Sequence, residues 1–245
     1  MQNNPFLPKP YKIIDIVKET DLEYTFKVEN DKIPNHGQFF QVSIPRVGEA
    51  PISVSNFGDD FIEMTIRKVG TVTNVLHSLD KGDNIFLRGP YGNGFPIDQF
   101  YNKHLVIATG GTGLAPVRSI INHFHSNIKS LKKFDLLMGF KNPQSIVFLS
   151  DIERWKKNIN VTLTVDDACG IWGECVGLIT EYVKKVNLSE FNEMEVIVVG
   201  PPMMMKFTTQ EFLKLGVPKD KIWVSFERNM SCALGKCGHC RIDET

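Results

Sequence analysis

Three cysteines fall within nine residues near the end of the sequence: Cys232, Cys237 and Cys240, in SCALGKCGHC. Their C-x4-C-x2-C spacing is that of a plant-type two-iron loop, so the three thiolates suit a [2Fe-2S] cluster, which takes a fourth ligand as well. Gly235 and Gly238 keep such a loop tight and let backbone N–H groups reach the sulfurs. Zinc, with His239 as a further ligand, is the competing reading. His239 is adjacent to Cys240, however, whereas zinc sites pair a C-x2-C with ligands farther along. The remaining two cysteines, Cys169 and Cys175 in DDACGIWGECVG, match no ligand spacing and read as ordinary small residues of a Gly-rich loop.

Two further stretches have the composition of a phosphate cradle. In HLVIATGGTGLAPVRSII an apolar strand runs into Gly110, Gly111, Thr112 and Gly113, and a helix follows with Pro116 in its first turn. Glycines there let the backbone approach a diphosphate, and the free N–H groups and positive dipole of the helix face it. The spacing is not G-x-G-x-x-G, and a purely structural turn competes with this reading. VIVVGPPMMMK repeats the arrangement with Gly200 and Pro201; Met203, Met204 and Met205 read as helix packing. Asp166 and Asp167 end VTLTVDD, where they either face a nucleotide or cap a helix. Earlier in the chain, Pro51, Ile52 and Ser53 provide a rigid extended backbone and one hydroxyl. Gly70, Thr71, Val72 and Thr73 open a short helix with hydroxyl and amide donors.

The elements that must hold these residues change character along the chain. From Tyr11 to about Leu87 short, often alternating apolar runs (YKIIDIV, YTFKV, QFFQVSI, PISVSNF, FIEMTI, NIFLRG) are separated by Gly, Pro, Asn and Asp, the pattern of antiparallel strands closing into a small β-barrel. TVTNVLHSL is the one helical piece. After about Tyr101 apolar strands alternate with amphipathic helices, which implies right-handed crossovers and an α/β domain with a mainly parallel sheet. The expected domains are therefore a barrel over 1–100, an α/β domain over 101–226 and an iron-sulfur loop over 227–245.

Basic and acidic residues number 28 each, so no field concentrates this chain on nucleic acid or an anionic membrane. The N-terminus has no export-signal pattern and no apolar run reaches about 18 residues, so a cytoplasmic protein is expected. No histidine stands at a motif spacing from a Ser, Cys or carboxylate, which leaves a nucleophile-based hydrolase without support.

Taken in order, these segments resemble the ferredoxin-NADP reductase superfamily, over essentially the whole chain. The resemblance implies an FAD-binding barrel and a nicotinamide-nucleotide domain. FAD would be lined by Pro51, Ile52 and Ser53, by Ile66 and Arg67 of MTIRKVG, and by Gly70, Thr71, Val72 and Thr73. NADH or NADPH would be held by Gly110, Gly111, Thr112, Gly113, Pro116, Asp166, Gly200 and Pro201. Ala50 stands where the family's R-x-x-S arginine would pair with flavin phosphate, and Arg67 or Arg46 is the expected substitute; Val199 replaces the cysteine of the family's C-G-P. GEAPIS, VVGPPMM and SFERNMSCALGKCGHC together are most similar to the anaerobic sulfite reductase B-subunit group, with sulfhydrogenase gamma subunits close and dihydroorotate dehydrogenase electron-transfer subunits in the same set.

That resemblance implies electrons passing from NAD(P)H through FAD and a cluster on Cys232, Cys237 and Cys240 to the iron-sulfur and sirohaem subunits of a sulfite reductase complex, with Ser53 as the candidate hydrogen bond to the reactive flavin edge. It also places the fourth cluster ligand beyond Thr245, with a partner or a non-cysteine donor as the alternative. A non-catalytic flavin and nucleotide redox sensor is the rival from another class.

Overall fold

In the computed structural model, residues 4, 6–168, 172–187, 193–228 and 230–241 are described. Six strands, β1 (Lys9–Lys18), β2 (Glu23–Glu29), β3 (Phe39–Ile44), β4 (Gly48–Phe57), β5 (Phe61–Arg67) and β6 (Asn84–Tyr91), form a closed antiparallel barrel in the order β1-β2-β5-β4-β3-β6. Period-two alternation sends Ile62, Met64 and Ile66 of β5, Phe40 and Val42 of β3, and Ile85 and Leu87 of β6 into one core with Phe26, Val28 and Val54. Register shifts at Ile13/Asp15, Phe39/Gln41 and Val54/Asn56 add the local bends that help a short sheet coil onto itself. Helix α1 (Thr71–Leu76) lies between β5 and β6, with Leu76 buried in the same core.

The second sheet has six parallel strands: β7 (His104–Gly110), β8 (Lys133–Phe140), β9 (Asn160–Val165), β10 (Cys175–Val176), β11 (Met194–Val199) and β12 (Ile222–Ser225), in the order β10-β9-β8-β7-β11-β12. Every residue of β7 and β11 is buried, as expected of central strands covered on both faces. Helices α2 (Ala115–Ser126), α3 (Leu149–Trp155), α4 (Ile179–Tyr182) and α5 (Pro202–Lys214) supply the cover. Val106, Ala108, Val196 and Val198 pack on one side with Ile179, Met205 and Phe212.

The chain divides into two compact units. The barrel through Phe95 groups with the segment from Glu227 onward, and Pro96–Phe226 forms the α/β unit. The cysteine loop thus packs with the barrel, although it follows the α/β unit in sequence. Among the described residues no helix is long and apolar enough to cross a membrane.

Candidate functional site

On the barrel, strand parity sorts the expected cofactor residues. Ile66 is 1% exposed and offers an outside ligand only its backbone, while the half-buried Ile52 packs against the same core. Pro51 and Ser53 alternate with Ile52 and take the outer wall, Pro51 exposed and Ser53 half-buried. Gly48 approaches α1 closely, since a Cβ there would lie 3.3 Å from Val72 Cγ2. The start of β4 and the start of α1 are thereby neighbours, which brings the two sequence-distant segments into one region.

At the α1 N-terminus the Thr73 hydroxyl accepts from the backbone N–H groups of Val69 and Gly70, both at 2.9 Å, and lies 3.1 Å from the Gly70 carbonyl. It serves the helix cap. Thr71 remains exposed, and a Cβ built on Gly70 meets nothing within 4 Å. Beside Pro51, its ladder partner Gln41 is 1% exposed and its Oε1 finds no donor among the described residues. That acceptor is closed to an outside ligand, so the side-chain donors this face offers a flavin are the hydroxyls of the exposed Thr71 and the half-buried Ser53. Of the two arginines expected to replace the one absent at Ala50, Arg67 pairs with Glu23 at 3.0 Å. Arg46 lies exposed in the β3–β4 turn at φ 67° and lines a cleft with Ser43, Gly48 and Glu49.

In the α/β unit the strand order reverses between β7 and β11, and the two glycine turns leave the carboxyl ends of those neighbouring strands. Ligands of open α/β sheets bind at such a switch point. The glycines there do different work. A Cβ on Gly113 would fall 2.6 Å from the Val199 carbonyl oxygen and 2.7 Å from Gly200 Cα, and one on Gly200 would fall 2.9 Å from Gly110 N. These three glycines let the turns touch each other. Gly111 alone combines a left-handed φ of 52° with open space, nothing lying within 4 Å of a built Cβ, and so has the geometry of a phosphate cradle. The turn also differs from the expected direct strand-to-helix step: Gly111–Leu114 forms a 3₁₀ turn before α2 begins at Ala115, with Pro116 in the first turn of α2. Met205 is core, Met204 packs on Gly110 and Gly200, and Met203 is 60% exposed.

Asp166 and Asp167 follow β9, their amides donating to the carbonyls of Phe140 and Lys141 at 2.9 Å each. Both side chains are exposed at the carboxyl edge of the sheet, and desolvation raises the Asp166 carboxyl above its ordinary value. Cys175 sits in β10 against the core, and Cys169 lies outside the described residues.

In the C-terminal loop Cys232 Sγ accepts from the Leu234 amide at 3.3 Å. Hydrogen bonds from the Cys237 backbone, then from Leu234 and the Cys237 side chain, draw the Cys232 thiol down to about 6. Left-handed Ala233, Gly235 and Gly238, with φ of 61°, 71° and 74°, coil the chain so that these amides turn inward. The loop brings Cys232 and Cys237 together. Among the described residues no three His, Cys, Asp or Glu side chains gather as a metal-ligand set, so Cys240 does not join them. A thiolate surrounded by backbone donors fits the chemistry of an iron-sulfur ligand.

One residue that the sequence patterns did not single out is central here. Arg88, 6% exposed on β6, donates to Glu49 Oε2 at 2.6 Å and to the carbonyls of Cys232 and Ser231 at 2.9 and 3.0 Å. The guanidinium holds the Glu49 carboxyl below the usual carboxylate range. The available signal was a lone cation in the apolar strand NIFLRG, with Asp83 the nearest charge before it and Asp98 the nearest after it, and without a motif around it.

Residues 106–210 match the family described as "oxidoreductase NAD-binding domain". The chain is 31% identical to sulfhydrogenase 1 subunit gamma of Pyrococcus furiosus, over 98% of this chain and 86% of that one. It is also 31% identical to the probable dihydroorotate dehydrogenase B (NAD(+)) electron transfer subunit of Methanocaldococcus jannaschii, over 95% and 83%. Among solved structures, that of an NADH-dependent reduced ferredoxin-NADP oxidoreductase superposes with a TM-score of 0.79 at 23% identity, covering 98% of this chain and 83% of that one. The ferredoxin reductase in carbazole 1,9a-dioxygenase gives 0.77 at 24%, covering 89% and 68%. The barrel followed by a parallel α/β unit is thus the ferredoxin-NADP reductase-like fold, and the chain belongs to the family of oxidoreductase electron-transfer subunits that includes sulfhydrogenase gamma and the dihydroorotate dehydrogenase B electron transfer subunit.

Proposed function

We propose that this chain takes electrons from NAD(P)H and delivers them singly to a partner redox subunit, using FAD on the barrel and a [2Fe-2S] cluster on Cys232, Cys237, Cys240 and a fourth ligand. The flavin supplies the conversion between a two-electron hydride and one-electron transfers. The observation that carries the exit route is geometric: Cys232 Sγ accepts from the Leu234 amide at 3.3 Å, in a loop that packs with the barrel. Gly111, with the turns after β7 and β11, holds the nucleotide diphosphate; Asp166 faces the ribose and favours NADH. The barrel domain, the α/β domain and the loop act as flavin, nucleotide and cluster modules in the division 1–100, 101–226 and 227–245. Pro51, Ser53, Gly70 and Thr71 contact the flavin through their outer-wall side chains or backbone, and Ile52, Ile66, Val72 and Thr73 through backbone groups. Ser53 hydrogen-bonds the reactive edge. No side chain need act as acid or base, so the protein's contribution is orientation and exclusion of water.

The GEAPIS, VVGPPMM and SFERNMSC segments favour sulfite-reducing iron-sulfur and sirohaem subunits in the cytoplasm as the partner. The 31% identity to a sulfhydrogenase gamma subunit and to a dihydroorotate dehydrogenase B subunit favours the second reading, the same role beside a hydrogenase or a dihydroorotate dehydrogenase. Anaerobic purification with flavin, iron and sulfide counted is the test, followed by NADH-driven turnover with each class of catalytic subunit. Flavin with two irons and turnover with the sulfite-reducing subunit is expected. Purified protein that binds no flavin would overturn the proposal, and turnover with a hydrogenase or dihydroorotate dehydrogenase subunit instead would transfer it to the second reading.

A further inference from the structure

The outer wall of the barrel carries a buried cation whose ties run to the cysteine loop. Leu87 of β6 points into the core, so Arg88 takes the outside. Strand β3 lies between β6 and β4, with Gln41 opposite Arg88 and Ser43 opposite Glu49. The Arg88 side chain reaches diagonally across β3 to Glu49: Nε lies 3.1 Å from each carboxylate oxygen and Nη2 is 2.6 Å from Oε2. The Ser43 hydroxyl donates to Glu49 Oε1 at 2.5 Å, which fixes the carboxylate from its other side. The remaining guanidinium donors go to main chain: Nη1 to the Cys232 carbonyl at 2.9 Å and Nη2 to the Ser231 carbonyl at 3.0 Å, with the Tyr91 hydroxyl 3.4 Å from Nη1.

A planar fork with five fixed donors can satisfy one carboxylate and two consecutive carbonyls at once, which a lysine ammonium cannot. The cation is almost fully buried, so its donors cannot fall back on water if these acceptors withdraw. The arrangement therefore does more than pair two charges. Glu49 orients the guanidinium, and the guanidinium grips the backbone at the first of the three clustered cysteines.

We propose that Arg88, oriented by Glu49, is a positioning residue for electron exit: it pins the Cys232 end of the C-terminal loop to the outer wall of the barrel and so fixes the separation between that loop and a flavin on the same barrel. The inference rests on the flavin and cluster reading above. Arg88 carries neither electron nor proton; one electron leaves the flavin for each one the iron site accepts. Its contribution is distance and rigidity.

The test uses the full chain, anaerobically purified, with Arg88→Met, Arg88→Lys and Glu49→Gln. Backbone amide exchange is followed over 230–241 and over β2 and β5, and stopped-flow spectroscopy follows flavin reduction by NADH and subsequent cluster reduction separately. In Arg88→Met the loop amides are expected to exchange at least tenfold faster while β2 and β5 are unchanged. Cluster reduction slows at least tenfold while flavin reduction by NADH keeps its rate. Arg88→Lys does not restore either property, and Glu49→Gln, which preserves shape and most packing, shows both effects in weaker form. Loop exchange and cluster reduction at wild-type rates in Arg88→Met would overturn the inference, as would equal slowing of both electron steps in Glu49→Gln. A wild-type chain that binds neither flavin nor iron, yet shows the loop loosening in Arg88→Met, would instead defeat the functional reading and leave the tether standing.

Discussion

Substituting Gly113 by Ala separates the two kinds of glycine in the α/β unit. The added methyl would lie 2.6 Å from the Val199 carbonyl oxygen, 2.7 Å from Gly200 Cα and 2.8 Å from Gly200 N. All three are backbone atoms of the neighbouring turn, which cannot rotate away as a flexible side chain would. The turns after β7 and β11 must move apart, and overpacking of this kind costs about 1–3 kcal/mol. With backbone as the obstacle the upper half of that range applies; about 2–3 kcal/mol corresponds to a melting-temperature drop of roughly 4–12 °C for a unit of this size.

Gly111→Ala is the matched control. Its methyl meets no protein atom within 4 Å, so only the left-handed φ of 52° is penalised, at about 1–2 kcal/mol. If Gly111 cradles the diphosphate, however, the methyl occupies the ligand's space, and the Kd for NADH should rise by tenfold or more, equivalent to about 1.4 kcal/mol. Scanning calorimetry and NADH titration of the two variants give the comparison. Gly113→Ala melting at the wild-type temperature would refute the packing argument. Gly111→Ala binding NADH as tightly as wild type would refute the cradle.

Other expectations follow from single groups. Desolvation holds His77 below its ordinary value while its Nε2 lies 2.9 Å from the Ile66 carbonyl and its ring lies tilted against Tyr24, with centroids 4.4 Å apart. Its folded value is depressed, so its contribution is complete above the unfolded value of about 6.5 and is lost as pH falls through the folded one. Urea midpoints at pH 7.5 and 5.5 should diverge more for wild type than for His77→Gln. Asp135 is buried, which raises its carboxyl, but hydrogen bonds from His104, Lys133 and Asn160 outweigh that and leave it lowered. Asp135→Asn should therefore cost about 2–4 kcal/mol in chemical denaturation, most of it above pH 4. Asp166→Ser should lower the KM for NADPH relative to NADH, as steady-state kinetics with both nucleotides would reveal; an unchanged ratio would remove Asp166 from nucleotide selection. Cys232→Ser should retain flavin and its reduction by NADH but lose iron, read by metal analysis and visible absorbance.

The fold was legible because it rests on local periodicity. Alternation in FIEMTI and QFFQVSI already assigns Ile62, Met64, Ile66, Phe40 and Val42 to one face, and the continuous apolar runs HLVIATG and MEVIVV already describe strands buried on both sides. The same parity, followed through PIS and TIR, would have set the side chains of Ile52 and Ile66 apart from the outward Pro51 and Ser53. Which glycines pack and which face open space could not be read that way. Gly110, Gly113 and Gly200 are needed because β7 and β11, 90 residues apart in sequence, are neighbours in the sheet.

What the sequence alone determined, then, is the list of elements and the residue types capable of chemistry, since backbone propensity and side-chain pattern act over a few residues. Tertiary structure decided which of those residues are spent within the protein. Thr73 caps its own helix, Arg67 answers Glu23, and Arg88 joins Glu49 to the carbonyls of Ser231 and Cys232. Such partnerships depend on strand order and loop return, where contacts between distant segments determine the burial of a charge or a hydroxyl, and no local pattern encodes them.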